Sequence, residues 1–225
     1  MNDKAFVALS GGLDSSTVLA IACENHGYDN VTAVSIDYGQ RHKKELDRAA
    51  QIAKEMGCEH RIIQLPNIPK SMLTDPGVVI PKMSYAEITG VSPTYVPFRN
   101  GLMLATLAAM ASPGKGELHN AHIYFGAHAE DAANDAYPDC RLDFIGAMGA
   151  AIYIGTYHRV RVHAPLIEMT KAEVVIKGYE LSVPFELTWS CYAGGDKHCG
   201  ECPTCRARKA AFHEAEIDDP TEYAA

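Results

Sequence analysis

Ala5-Phe6-Val7-Ala8-Leu9-Ser10-Gly11-Gly12-Leu13-Asp14-Ser15-Ser16 decides the fold: a short apolar run enters a glycine turn, and residues 17–23 follow with helical composition and spacing. A second apolar run, 31–36, ends at Asp37-Tyr38-Gly39-Gln40 and leads into the charged and apolar period of residues 44–56. A third run at 60–65 completes βαβαβ. Parallel neighbours need crossover helices, so this alternation predicts an α/β fold with a parallel sheet covered by helices on both faces. Ligands of such sheets bind beyond the carboxyl ends of the strands, where both glycine turns fall.

Residues 66–98 are rich in Pro and polar side chains and read as an irregular excursion over that edge, ordered in part by substrate or by a subunit partner. Regularity returns with a nearly all-apolar helix at 100–110, whose composition predicts burial between layers. Pro113-Gly114-Lys115-Gly116 is a surface turn. Strands are expected at 122–125 and 159–163, and helices at 143–154 and at 169–178, the last with Thr170 as its cap. From Thr188 the composition changes: 188–205 reads as a cysteine knuckle and 206–215 as a short helix. The expected division is an α/β domain over residues 1–187 and a metal-binding region over 188–225.

The balance of 20 basic against 28 acidic residues, a net charge of −8, argues against a protein that coats a phosphate backbone, although a local basic patch is compatible with it. Neither a signal peptide nor an apolar run long enough to span a membrane is present, so a cytoplasmic protein is expected.

Ser10 to Ser16 matches neither the G-x-x-x-x-G-K-[ST] loop nor the G-x-G-x-x-G fingerprint. Its parts still have a physical use. Gly11 and Gly12 permit a sharp turn with inward amides, and the hydroxyls of Ser10, Ser15 and Ser16 stand near a helix N-terminus, where an anion is favoured. Asp14 would repel a phosphate unless Mg²⁺ lay between them, so it is assigned to that metal or to capping the helix. A tight strand-to-helix turn with serine caps and no ligand is the plain alternative. Tyr38 and Gln40, at the end of the next strand, form either a plain turn or, in a nucleotide enzyme, a contact to the base or ribose.

Cys191-x₇-Cys199-x₂-Cys202-x₂-Cys205 offers four thiolates, with Gly194, Gly195 and Gly200 free to fold the backbone round one centre. A closed set of four fits structural zinc and leaves no vacancy for His198; an iron–sulfur cluster is the rival, and free or buried thiols are the plain alternative. Cys23 and Cys58 are expected in the core. Cys140, beside Arg141, is expected to pack in a rigid turn, the alternative being a nucleophile. Glu130, Asp131, Asp135 and Asp139 form either a solvated acidic loop or a set that holds Mg²⁺ or a purine edge. Arg99 is either a surface charge or a partner for a phosphate or carboxylate.

Ser10 to Ser15 resembles the pyrophosphatase loop of the N-type ATP pyrophosphatases. The fuller set resembles the 7-cyano-7-deazaguanine synthase family: Tyr38-Gly39-Gln40-Arg41-His42, Phe98-Arg99-Asn100, Tyr137-Pro138-Asp139-Cys140-Arg141 and Thr188-Trp189-Ser190-Cys191-Tyr192 with the later cysteines, in order along nearly the whole chain. The stretch from Asp131 to Tyr137 is longer than in the commonest form of the family, where a serine-glycine pair tends to precede the tyrosine.

The resemblance implies a Rossmann-like sheet of the adenine nucleotide alpha hydrolase kind, with a small C-terminal region that binds zinc through four cysteines. It implies a ligase that uses ATP, Mg²⁺ and Zn²⁺ to convert 7-carboxy-7-deazaguanine and ammonia to the nitrile preQ0. An adenylated acid and then an adenylated amide are the intermediates, and AMP and pyrophosphate are released. Carried over by position, Ser10, Gly11, Gly12, Leu13, Asp14, Ser15 and Ser16 would hold the phosphates, with Ser10, Asp14 and Ser15 as the catalytic members. Tyr38 and Gln40 would lie near the adenosine, and Arg99, Asp131, Tyr137, Asp139 and Arg141 would form the deazaguanine pocket. Cys191, Cys199, Cys202 and Cys205 would bind zinc. A homodimer is implied, with no stable nucleic acid and no membrane. Two rivals remain at this stage. A related pyrophosphatase that thiolates a tRNA base would need a sulfur carrier or catalytic cysteines and a basic footprint. A non-catalytic zinc-stabilised binding module would leave the Ser10 to Ser16 turn without a purpose.

Overall fold

A computed structural model of the chain describes residues 3–40, 43–65, 71, 73–75, 92, 94–112, 114, 119–128 and 137–224. Most of the expected excursion at 66–98, the turn at 113–116 apart from Gly114, and the acidic positions Glu130, Asp131 and Asp135 lie outside the described residues.

Five parallel strands form one sheet in the order β3-β2-β1-β4-β5: β1 Lys4–Ala8, β2 Val31–Asp37, β3 Glu59–Gln64, β4 Ala121–Tyr124 and β5 Val160–His163. Successive residues of a strand point to opposite faces, and the two faces bury separate cores. Ala5 and Val7 of β1 pack with α1 (Leu13–His26), α2 (Lys44–Glu55), α5 (Lys171–Glu180) and α6 (Pro203–Glu214). Phe6 and Ala8 turn the other way, towards α3 (Arg99–Ala111) and α4 (Leu142–Gly155). Helices cover both faces, as the alternation predicts. The strand order reverses between β1 and β4, which opens a crevice at their carboxyl ends. None of the described helices is long and apolar enough to cross a membrane.

Three helix starts differ from the sequence reading by two residues or more, each for a local reason. α1 begins at Leu13, directly after Gly12 as its N-cap, so Ser15 and Ser16 belong to its first turn rather than to a preceding loop. α5 begins at Lys171 because Thr170 and Glu173 close a capping box, which leaves Met169 outside. α6 begins at Pro203, inside the cysteine cluster: proline has no N–H to lose at a first helical position, and Cys202 is the N-cap. Cys23 and Cys58 meet as free thiols with Sγ atoms 3.2 Å apart.

Two contacts hold the C-terminal elements to one another and to α1. Arg208 of α6 is 1% exposed, with each of its nitrogens engaged: Nε donates to Asp219 Oδ1 (3.0 Å), Nη1 to Thr188 Oγ1 (2.7 Å) and Nη2 to the Phe185 carbonyl (3.2 Å). Gly178 is where α5 crosses α1, and a Cβ there would lie 2.6 Å from the Phe185 ring and 2.7 Å from Thr17 Oγ1. The Phe185 ring is buried and backed edge-on by Phe212, so it has little room to yield. Gly178→Ala is therefore expected to lower stability by about 1–3 kcal/mol, read as a lower denaturation midpoint with an unchanged slope. An unchanged midpoint would show that the crossing can relax.

Candidate active site

The cleft at the β1/β4 switch point begins with the glycine turn. Gly11 has φ +82°, and a Cβ on it would meet the Glu45 carbonyl at 2.5 Å and the Ala49 nitrogen at 2.9 Å, so α2 packs directly against the turn. On its other side the Gly11 carbonyl accepts from Trp189 N–H (2.8 Å). Ser10 and Ser15 brace the bend: their hydroxyl oxygens are 3.0 Å apart, Ser10 N–H donates to Ser15 Oγ (3.1 Å) and Gly12 N–H to Ser10 Oγ (3.3 Å). Ser16, fully buried, donates to the Gly12 carbonyl (2.7 Å) and serves the turn itself. The N-cap Gly12 supplies no side-chain cap to α1, so the helix presents the unpaired amides and positive dipole end that suit an anion. Ser10, Gly12, Leu13, Asp14 and Ser15 line the cleft.

Asp14 does not cap α1 in this structure. Both of its carboxylate oxygens accept from Lys171 Nζ, which also lies 3.2 Å from His128 Nε2. Burial raises the affinity of Asp14 for a proton, but the charges of Lys171 and His128 and the Lys171 hydrogen bond outweigh it and hold the carboxyl below its ordinary value. His128 follows the strand expected at 122–125 and so emerges at the same carboxyl edge as the glycine turns, whereas Lys171 is not marked out by residue type alone. A signal for Lys171 exists: a cation at the first position of α5 opposes the helix dipole, which calls for a nearby anion. Gly126, at the end of β4, lets that backbone approach Ser15 so closely that a Cβ would sit 3.3 Å from the Ser15 nitrogen.

The opposite wall carries Tyr38, Gln40, Glu45, Arg99 and Tyr192. Gln40 closes its own turn, accepting from Tyr38 N–H (2.9 Å) and donating to the Ile36 carbonyl (3.3 Å). Arg99 Nη1 donates to Tyr38 OH (3.3 Å), and its guanidinium lies 5.5 Å from the centre of that ring. Burial pushes the Tyr38 phenol up, partly offset by Arg99.

The remaining residues expected in a base pocket have different surroundings. Asp139, buried, accepts from Asn100 N–H (3.0 Å) and so caps the first turn of α3 from outside its own segment. Asn100 Nδ2 also reaches Cys140 Sγ (3.2 Å), which places Cys140 as a packed thiol lining the cleft. Tyr137 OH accepts from Ser92 Oγ (3.1 Å), and Arg141, exposed at the start of α4, pairs with Asp143. Arg99 is the member of that set that lines the cleft among the described residues.

Cys191, Cys199, Cys202 and Cys205 converge, with all four sulfurs within 4.8 Å of one another. A tetrahedron of ~2.3 Å metal–sulfur bonds places its sulfurs about 3.8 Å apart, so the spacing fits one ion; a multi-iron cluster would splay its ligands further. Backbone amides support the sulfurs: Ala193 and Cys199 N–H donate to Cys191 Sγ (both 3.3 Å), and Glu201 and Cys202 N–H to Cys199 Sγ (3.4 and 3.3 Å). His198 lies beside this centre and not in it: its Nε2 accepts from Ser190 N–H (3.0 Å). The knuckle also builds the cleft. Trp189, Ser190, Tyr192 and Thr204 line it, and Lys44 of α2 lies 4.4 Å above the Trp189 ring while donating to the Gly195 carbonyl (2.8 Å).

Residues 4–216 match the family described as queuosine biosynthesis protein QueC. The 7-cyano-7-deazaguanine synthase of Thermoplasma acidophilum is 44% identical over 227 residues, covering 98% of this chain and 92% of that protein. Proteins of the same description from Thermoplasma volcanium (42% over 230 residues, 99% and 92%) and Brucella ovis (42% over 226 residues, 98% and 93%) are similarly close.

Proposed function

The chain belongs to the QueC family of queuosine biosynthesis proteins, and on that premise we propose that its cleft converts 7-carboxy-7-deazaguanine and ammonia to 7-cyano-7-deazaguanine at the expense of ATP. Carboxylate and amide oxygens are poor leaving groups; AMP is a good one. In the first half, a carboxylate oxygen attacks the α-phosphorus, pyrophosphate departs, and ammonia displaces AMP to give the amide. In the second, the amide oxygen is adenylated in turn, and its departure as AMP leaves the nitrile.

The residues take these roles. The turn from Ser10 to Ser16 and the α1 N-terminus receive the pyrophosphate end of the nucleotide, where preorganised amides meet developing charge. Tyr38 and Gln40 flank the adenosine, and Arg99 meets the deazaguanine or its carboxylate. Asp139, Tyr137 and Arg141 support that pocket, Asp139 through the α3 N-terminus it caps. Lys171 joins the phosphate group: once a triphosphate is present, its ammonium is shared between Asp14 and phosphate oxygens. Asp14 is a hard oxygen donor beside that site and would hold Mg²⁺, which supplies charge neutralisation on the phosphates. The four cysteines would hold Zn²⁺ in a closed, structural role, since no ligand position is left for water. The active form is a cytoplasmic homodimer that covers the apolar outer face of α4, where Leu142 and Ile154 are 59% and 68% exposed.

The observation that carries the reading is the placement, in one cleft, of an uncapped helix N-terminus with a Lys171–Asp14 pair facing the Tyr38–Arg99 wall. Incubation with ATP, ammonia and 7-carboxy-7-deazaguanine is expected to yield the nitrile by mass spectrometry, with AMP and pyrophosphate released once for each activation. Release of ADP and orthophosphate, or AMP formation that requires tRNA, would overturn it.

A further inference from the structure

The cleft holds a second acid that the phosphate chemistry does not use. Glu45 lies in the first turn of α2, and its carbonyl is the atom against which Gly11 is packed, so its helix is seated on the phosphate turn. It lines the cleft with Tyr38 and Arg99. Whereas Asp14 is occupied by Lys171, the Glu45 carboxylate has neither a hydrogen bond nor an ion pair among the described residues. Arg99, the cation whose charge acts on it, donates to Tyr38 OH. Among the described residues the groups around it are Arg99 from α3, Tyr38 at the end of β2, Tyr192 from the knuckle, which itself acts on Arg99, and Lys44 and Arg48 on its own helix, directed to Gly195 and Gln51. Burial pushes the Glu45 carboxyl up to about 7, Arg99 pulling it the other way.

We infer that Glu45 is the base that removes protons from the substrate nitrogen in both halves of the reaction. The inference rests on the two-activation reading above and deepens it. In the first half, the ammonia lone pair forms the C–N bond, the C–O bond breaks with its electron pair leaving on AMP, and the nitrogen's surplus proton passes to a Glu45 oxygen. In the second, the O–P bond forms as pyrophosphate departs, and the nitrogen gives up one proton to Glu45, which passes it to water. The C–O bond then breaks to AMP while the electrons of the last N–H bond become the third C–N bond, and that proton is again taken by Glu45. Both halves therefore need a proton acceptor at nitrogen, beside the phosphate turn, that can reload from water near neutrality. His128 is the other candidate by chemistry, but its Nε2 faces the Lys171 ammonium.

Glu45→Gln keeps the shape of α2 and tests this. Exchange of labelled pyrophosphate into ATP, driven by 7-carboxy-7-deazaguanine without ammonia, reports adenylation alone. Single-turnover amide and nitrile formation reports proton removal. The variant is expected to exchange within about threefold of wild type while amide and nitrile formation fall by about 10²–10⁴-fold, and to lose the rise in wild-type rate through pH ~7. Because burial raises this carboxyl above its ordinary 4.5, its ionisation costs stability as pH rises, so the variant should melt higher than wild type at pH ~8 and not at pH ~4. A parallel fall in exchange would make Glu45 a nucleotide or cation ligand and overturn the inference, as would unchanged nitrile formation. Absence of exchange in the wild type would overturn the parent reading as well, so the two failures are distinct.

Discussion

Asp14→Asn is expected to lower the rate of AMP and pyrophosphate formation by about 10²–10³-fold at saturating ATP, the loss typical of one preorganised charge at a reacting phosphate. Asparagine keeps the size and the first-turn position but abolishes the charge that orients Lys171 and attracts a divalent cation. The cost in stability is small by comparison. The Asp14 side chain is 25% exposed, so solvent screens the pair, and a loss of about 1 kcal/mol, some 2–4 °C in melting temperature, is expected at neutral pH. The sign of the pH dependence follows from the depressed carboxyl. The pair's contribution is present above the unfolded value near 3.8 and is lost as pH falls through the lower folded value, so wild type and variant should converge in melting temperature under strong acid. Retention of more than about a tenth of wild-type turnover would remove Asp14 from the catalytic group.

The contrast between Asp14 and Lys171 marks the limit of what the chain discloses unaided. Ser10 to Ser16 is legible because strand, turn and helix are local: glycines and serines at fixed offsets state both the bend and the amides it exposes. The partner of Asp14 is 157 positions away, and only the β1-β4-β5 order brings α5 beside α1. Glu45 is equally silent in sequence, an ordinary acid in the first turn of an amphipathic helix, where the dipole alone would account for it. Asp139 is the converse case. Its motif is distinctive, yet its carboxylate is engaged by an α3 amide, a contact that an acidic loop does not announce. The cysteines were legible as a set because four soft ligands at short spacing have few other uses, but the helix start at Pro203 that carries Cys205 was not.

Cys202→Ser is expected to have the largest effect on stability, because Cys202 holds three positions at once. Its sulfur is one of four converging ligands, its amide donates to Cys199 Sγ, and it is the N-cap of α6. Structural zinc sites in isolated peptides contribute about 10–16 kcal/mol of apparent folding energy. Here α6 is also held by Phe212 in the core and by the Arg208–Asp219 contact, so a smaller share, about 3 kcal/mol or some 6–12 °C, should be lost from the whole chain. Metal content by mass spectrometry should fall from about one ion per chain to near zero. The damage should also reach the nucleotide. Trp189 N–H holds the Gly11 carbonyl, and Trp189 is the chain's single tryptophan, so loosening of the knuckle should register in its fluorescence and weaken ATP binding together. Cys140→Ser, outside the cluster, is the matched control and should leave metal content intact. A Cys202→Ser protein without metal that still binds ATP as wild type does would mean that the Trp189–Gly11 bond survives without the ion, and the knuckle would then be an independent appendage rather than the back wall of the phosphate site.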